Sequence, residues 1–190
     1  MAKILIGTPI HESKDYAMER FLKSINELEK PCQVDLFLVD NSTQEYADKY
    51  GATHIDCENS TAEERIARSR EVIRQRVVDE GYDYWFSVEN DVILPPGALN
   101  EMLRYQEFDI IGHNYPSRYN PNDLTWGFGC TLIKRWCLEK FGFLKEYGNV
   151  DPEMPDCWHG GEHWFIKRVR KAGGRYVCFD NLFTCEHLNE

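Results

Sequence analysis

Residues 82–97 run Tyr-Asp-Tyr-Trp-Phe-Ser-Val-Glu-Asn-Asp-Val-Ile-Leu-Pro-Pro-Gly, and this stretch decides the fold. Tyr84–Val88 is a short aromatic and apolar run of the kind that forms a buried strand. It leads directly into Glu89-Asn90-Asp91. Pro95-Pro96-Gly97 then breaks the chain before a helical pattern over Ala98–Tyr105. A strand that ends in acidic residues, then a break, then a helix is the repeating unit of a layered α/β fold.

The same alternation extends in both directions. Lys3–Gly7 reads as a strand and Asp15–Lys30 as a helix, with Phe21, Leu22, Ile25 and Leu28 at helical spacing and Pro31 closing it. Val34–Val39 supplies a second strand. A helix opens at Thr61 with a Thr61–Glu64 capping box and carries Ile66, Ile73 and Val77. Asp109–Gly112 and Cys130–Ile133 read as further strands and Trp136–Phe141 as a short helix. Glu162–Ala172 is a helix stopped by Gly173-Gly174, and Arg175–Phe179 is a late strand. There is no repeat, low-complexity tract or linker. The expectation is therefore one domain over residues 1–190, an α/β/α sandwich on a mostly parallel central sheet. Ligands of such sheets bind beyond the carboxyl ends of the strands, so Thr8–Glu12, Asp40–Thr43 and Glu89–Pro96 should surround one cleft.

Composition narrows the function. The 190 residues are 42% apolar and 28% charged, a globular balance. With 22 basic against 32 acidic residues the net charge is −10 and the pI near 5.1. That excludes broad nucleic-acid binding, which needs a basic face to displace counterions. A phosphate-bearing substrate would need a divalent cation to offset the repulsion. No apolar stretch reaches the length of a membrane span, and the first fifteen residues make a poor signal peptide. The odd number of scattered cysteines, seven, points to a reduced cytoplasmic protein.

Carboxylates two apart in an extended segment point the same way, so Glu89 and Asp91 can face one hard cation, Mn²⁺ or Mg²⁺. Such an ion can bridge a nucleotide diphosphate and neutralise a leaving group. Asp40, directly after the second strand, can accept bonds from a ribose or base, or close an Asx turn with Asn41-Ser42-Thr43. Trp126-Gly127-Phe128-Gly129 and Trp158-His159-Gly160-Gly161 combine flat apolar faces with open backbone, as sugar sites do; core packing explains the same aromatics. Tyr115 and Arg118 lie on a loop that can close over a ligand.

IGTPIH (6–11), FLVDNST (37–43), YDYWFSVENDVILPPGAL (82–99), GFGCTLIKRWCLEKFGF (127–143), GEHWFIKRVRKAGGRY (161–176) and CEHL (185–188) follow in the order seen in GT-A glycosyltransferases. Over almost its whole length the chain resembles the family 2 type, which use nucleotide-sugar donors. The resemblance implies a GT-A, Rossmann-like fold and a donor site in which Pro9 borders the base and Asp40 binds base or ribose. It makes Asp91 a direct metal ligand and has Glu89 contact the ribose or, through water, the metal. His187 would complete the metal site. Glu162 matches the catalytic base at the start of a helix, with Gly161 standing where a first acid often is and Asp156 in reserve. Arg68, in Ala67-Arg68-Ser69, would assist the diphosphate; Arg65 and Arg76 share its arc of the helix. Direct displacement with Glu162 as base would invert the anomeric carbon. The acceptor can be a glycan, protein or lipid, and a second copy of the chain can complete the site.

Two other classes fit parts of the sequence. Cys157, His159, His163, Cys185 and His187 form a Cys-x-His-x₃-His…Cys-x-His set that zinc could use in a structural or interaction module. A sugar-phosphate nucleotidylyltransferase shares a nucleotide-binding α/β fold but has a glycine-rich first loop, where this chain has only Gly7.

Overall fold

The computed structural model describes residues 2–120, 122–125, 127–144 and 160–189. In chain order the elements are β1 (Lys3–Ile10), α1 (Asp15–Glu27), β2 (Gln33–Asp40), α2 (Gln44–Tyr50), β3 (Thr53–His54), α3 (Ala62–Asp79), β4 (Tyr84–Val88), β5 (Val92–Ile93) and α4 (Ala98–Leu103). There follow β6 (Ile110–His113), β7 (Tyr115–Pro116), β8 (Leu124–Thr125), β9 (Cys130–Lys134), α5 (Arg135–Lys140), α6 (Gly160–Lys171), β10 (Tyr176–Phe179) and β11 (Glu186–His187). Seven strands make the central sheet in the order β10-β6-β9-β4-β1-β2-β3.

Four pairings of that sheet are parallel: β1 with β2, β1 with β4, β2 with β3, and β6 with β10. The sheet is therefore mostly parallel, as expected, and β9 is its antiparallel strand, lying between β4 and β6. The reason is visible between them. Residues 114–129 carry no described helix to cross the sheet; instead β7 and β8 pair antiparallel. Without a crossover helix the chain has no parallel route back.

Apolar side chains pack on both faces of the sheet. Ile4, Ile6, Phe86 and Leu132 point to one side, against Met18 and Phe21 of α1 and Leu99 and Met102 of α4. Leu5, Trp85 and Ile133 point to the other, against Ile73 and Val77 of α3, Leu138 of α5 and Phe165 of α6. α1 stops at Glu27 rather than Lys30. Leu28 leaves helical geometry at ψ 131° and buries its side chain, while the amide of Glu29 donates to Pro96 O at 2.9 Å. α2 was not expected, although its ends are marked: Thr43 accepts from the Tyr46 amide, and Gly51 takes the left-handed φ of 63°. α3 begins with both bonds of the Thr61–Glu64 capping box.

Gly7 lets α3 sit close on β1. A Cβ there would collide with Ile73 Cγ2 and come within 2.6 Å of Trp85 Nε1, whose N–H donates to Gly7 O at 3.0 Å. Gly7→Ala is expected to lower stability by about 1–3 kcal/mol through overpacking, read as a fall in denaturant midpoint with unchanged m-value.

This sheet puts three strand ends side by side. Ile10 is in register with Asp40, and Gly7 with Ser87. The loops after β1, β2 and β4 therefore share one edge, as anticipated.

Candidate active site

A cleft at that edge is lined by Pro9, Ile10, His11, Ser13 and Lys14 after β1, Asn41 after β2, Arg65, Ile66 and Arg70 of α3, and Ser87, Glu89 and Asn90 of β4 and its loop. Glu89-Asn90-Asp91 is a turn, closed by the Val92 amide donating to Glu89 O at 3.0 Å, rather than the extended segment the sequence suggested, yet its two carboxylates still converge. Asn90 turns inward, 1% exposed, with Nδ2 directed at Met18 Sδ at 3.3 Å. Glu89 and Asp91 turn to the other side and meet a common cation, Lys14 Nζ, at 3.9 and 2.9 Å.

Asp91 is wholly buried. One oxygen, Oδ2, is crowded: Lys14 Nζ lies at 2.9 Å, Arg118 Nη2 at 2.7 Å and His187 Nε2 at 3.4 Å. Burial alone would raise the Asp91 carboxyl, but the hydrogen bond with His187 and the charge of Lys14 outweigh it and hold the group well below the usual carboxylate range. The other oxygen, Oδ1, is buried with no hydrogen-bond partner among the described residues.

His187 arrives from the far end of the chain because β11 pairs antiparallel with β5 in the register His187↔Val92, and the Leu188 amide donates to Asp91 O at 2.8 Å. Its Nδ1–H donates to Pro116 O at 2.8 Å, and Nε2 is the nitrogen that faces Asp91. A backbone carbonyl that holds one ring nitrogen orients the other toward a metal. A buried orphan carboxylate oxygen and an oriented imidazole nitrogen thus fit a divalent cation. The nitrogen donor suits Mn²⁺ better than Mg²⁺, which prefers oxygen ligands.

Glu162, in the first turn of α6, is 7% exposed and pairs with Arg70 of α3. Arg70 also lies 3.8 Å from Glu89 Oε1, with its guanidinium 5.3 Å over the Phe128 ring. The two glycines of the Gly127-Phe128-Gly129 stretch make room for this arrangement: a Cβ at Gly127 would meet Glu162 Oε2 at 2.7 Å, and one at Gly129 would strike the Tyr115 hydroxyl. Tyr115 stands among the three acids. Its phenol is pushed well above the ordinary value by burial and then by Glu89, Glu162 and Asp91.

Sequence reasoning missed Arg70, although a signal was present. Residues 70, 73, 74 and 77 are buried at the i, i+3, i+4, i+7 spacing of a core-facing stripe, so an arginine there must enter the protein. Arg68 is corrected by the same geometry. It lies about 200° round the helix from Arg70, exposed beside Cys57 and away from the cleft. Arg65 does line the cleft, with Nη1 donating to Ser60 O at 3.0 Å. Arg76 instead pairs with Glu80 at 3.0 Å and covers Phe37.

Asp40 is also placed differently from the donor-binding expectation. It is fully buried and accepts from Ser42 N at 3.1 Å, Ser42 Oγ at 2.6 Å and His54 Nδ1 at 2.7 Å. Those bonds make the Asx turn that the sequence also allowed, and Asn41 faces the cleft in its stead. Pro9 and Glu89 lie in the cleft as anticipated. Gly161 has open space where a Cβ would go. Trp126, Trp158 and Asp156 lie outside the described residues.

Of the zinc set read from the sequence, the described residues separate Cys185 from His187. Cys157 and His159 lie outside the described residues, and the Cys185–His187 pair diverges. His187 turns to Asp91, whereas Cys185 groups with His113 and Cys130. Alternate partners draw the two side chains to different neighbours.

No family model and no curated protein matches the sequence. Solved structures do match. A197 from STIV superposes with a TM-score of 0.60 at 15% identity, covering 99% of this chain and 86% of that one. The mannosyltransferase PcManGT from Pyrobaculum calidifontis, solved with GDP-Man and Mn²⁺, gives 0.66 at 14% identity over 99% of this chain and 57% of its own, so this chain spans little more than half of it. Glucosyl-3-phosphoglycerate synthase from Mycobacterium tuberculosis, solved with Mn²⁺, UDP-Glc and phosphoglyceric acid, gives 0.63 at 15% identity, covering 100% and 72%. Likeness at such identities is likeness of fold, and the fold of this chain is that of GT-A glycosyltransferases.

Proposed function

We propose that this chain transfers a sugar from a nucleotide-diphosphate sugar to an acceptor hydroxyl, within a single GT-A domain. One observation carries the reading. Beyond the carboxyl end of β4, Asp91 holds a buried oxygen with no partner among the described residues, and His187 is oriented by Pro116 to share a cation with it. Asp91 and His187 would hold Mn²⁺ or Mg²⁺, with Glu89 nearby for a metal-bound water or the ribose. The ion supplies charge neutralisation at the diphosphate when bound.

The protein's own residues account for the rest. Pro9 and Asn41 border the base, and His11 joins them as a neutral ring, its pKa lowered by burial and then by Arg65. Arg70 and Arg65 offset charge along the diphosphate, the task the sequence assigned to Arg68. Glu162 takes the proton from the acceptor hydroxyl as that oxygen attacks the anomeric carbon, which makes the transfer inverting. The acceptor is a glycan, protein or lipid that reaches an open cleft, and a homo-oligomer could complete it. A cytoplasmic setting follows from the cysteine usage; no described helix is long and apolar enough to cross a membrane.

A thermal-shift and calorimetric screen of nucleotide diphosphates and their sugars, with and without Mn²⁺, tests the reading, because a ligand of the native state raises the melting temperature by mass action. A metal-dependent rise with one nucleobase is expected. No rise with any nucleotide would overturn the donor site.

Arg118 gives a sharper test. Its Nη2 contacts Asp91 Oδ2 at 2.7 Å and His187 Nε2 at 3.5 Å, so a protein cation sits between the two ligands. A metal ion must displace it. Arg118→Gln is therefore expected to tighten binding of Mn²⁺ alone by about tenfold, the effect of removing roughly 1.4 kcal/mol of like-charge competition. Electron paramagnetic resonance of free Mn²⁺ reads this directly; unchanged or weaker binding would show that Arg118 does not compete.

A further inference from the structure

One cluster of ligand-type side chains takes no part in the transferase reading and does not depend on it. His113 closes β6, Cys130 opens β9, and Cys185 immediately precedes β11. The three are 2%, 0% and 3% exposed. His113 Nδ1 lies 4.0 Å from Cys185 Sγ, and the three donor atoms all fall within 4.8 Å of one another. The surroundings are apolar, with the imidazole stacked on Phe183 at 4.0 Å and 7°. Buried thiols alone pack as small apolar groups, but two of them gathered around an imidazole from three separate segments make a metal donor set.

The donor chemistry selects the ligand. Two sulfurs and an imidazole nitrogen suit zinc and are poor partners for oxygen-seeking Mg²⁺ or Mn²⁺. Zn–S near 2.3 Å and Zn–N near 2.0–2.1 Å put sulfur and nitrogen on one ion roughly 3.5–3.8 Å apart, so the 4.0 Å separation here needs to close by only a few tenths of an ångström. Charge selects it again. Zn²⁺ with two thiolates and a neutral imidazole sums to zero, the form an apolar interior tolerates.

We propose that His113, Cys130 and Cys185 form a zinc site that pins the carboxyl-terminal segment to the central sheet. Loading replaces one proton on each thiol by a bond to zinc, with two protons released to solvent. It also moves the imidazole proton to Nε2. The contact that gives way is the Phe183 amide, which now donates to that nitrogen across 3.3 Å. The described residues supply three protein donors, and an exogenous ligand such as water completes the tetrahedron. Because His187 lies two residues beyond Cys185, an anchored Cys185 also fixes how His187 approaches Asp91.

The test uses the whole reduced chain, stripped with a chelator and then dialysed against Zn²⁺ alone. One zinc per chain is expected to remain, with a higher melting temperature. Alkylation of Cys130 and Cys185 in mild denaturant, mapped by peptide mass, should slow by about tenfold or more on loading, because metal-bound thiolate is withdrawn from reaction. The other cysteines should react as before. Co²⁺ in place of Zn²⁺ should show thiolate-to-cobalt absorption. Cys130→Ser and Cys185→Ser should each lose the metal, and His187→Ala should keep it. A wild-type chain that retains no zinc, protection of other cysteines, a Cys130–Cys185 disulfide formed in its stead, or loss of zinc in His187→Ala would each overturn the proposal. Should the serine variants fail to fold, the wild-type alkylation map decides alone.

Discussion

Asp91→Ala abolishes the Mn²⁺-dependent binding of nucleotide-diphosphate sugars and lowers transfer by on the order of a thousandfold, the scale on which one preorganised electrostatic contact acts in a dry site. The effect follows from how Asp91 is held. Its buried Oδ1 has no partner among the described residues, and Oδ2 gathers Lys14, Arg118 and His187. Removing the carboxylate removes the group that all three contact. The fold should survive the change. The Lys14 and Arg118 side chains are 26% and 36% exposed and can turn to water, so neither is stranded as a buried charge. Circular dichroism and the metal-free melting temperature should therefore stay close to the parent, while calorimetry with donor and Mn²⁺ shows no heat. Donor binding that persists in Asp91→Ala, still dependent on metal, would move the metal site elsewhere. Donor binding that persists without metal would mean that Lys14 and Arg118 carry the diphosphate charge by themselves.

Much of this site was legible because its signals are local. The position of the loop beyond β4 follows from the α/β pattern, whereas Glu89 and Asp91 meet at Lys14 through a turn, with the Val92 amide on Glu89 O, and not through strand alternation. The strands β1, β2, β4, β6, β9 and β10 and the helices α1 and α3 declare themselves by composition and periodicity. What escaped was set by tertiary pairing. Asp40 and His54 meet only because β2 and β3 pair in the register Asp40↔His54, and that contact turns a candidate ligand group into the buried acceptor of a turn. Lys14 finds Asp91 across 77 residues of chain. Cys185 and His187 looked like one chelating pair in the sequence, yet β11 delivers His187 to Asp91 and leaves Cys185 with His113 and Cys130. The antiparallel β9 belongs to the same class. Alternating strands and helices imply parallel pairing only where a helix crosses between the strands, and none is described between β6 and β9. Arg70 was the exception, since its place in the apolar stripe of α3 could be counted from the sequence.

Glu162→Gln should leave donor binding within about twofold of the parent and reduce transfer by on the order of 10²–10⁴-fold, the range of a positioned general base. Glutamine is the informative substitution because of Arg70. Arg70 is 6% exposed, and among the described residues its Nε has no partner and its closest acceptor is the Glu162 carboxylate, with Glu89 farther away at 3.8 Å. Alanine at 162 would strand a buried cation, a loss of roughly 3–5 kcal/mol that would confuse a catalytic effect with partial unfolding. The glutamine oxygen still accepts from Arg70 and keeps the space that Gly127 leaves open. What it cannot do is accept a proton. A variant that binds donor and metal normally but does not turn over thus assigns the proton transfer to Glu162. Near-normal turnover would remove Glu162 as base and pass the role to Asp156, leaving the Arg70–Glu162 pair as a brace between α3 and α6. The two outcomes separate further in Arg70→Met. If Arg70 serves the diphosphate, donor affinity falls even in the Glu162→Gln background; if it serves only as a brace, the double variant binds donor as the single one does, because the pair has already lost its charge.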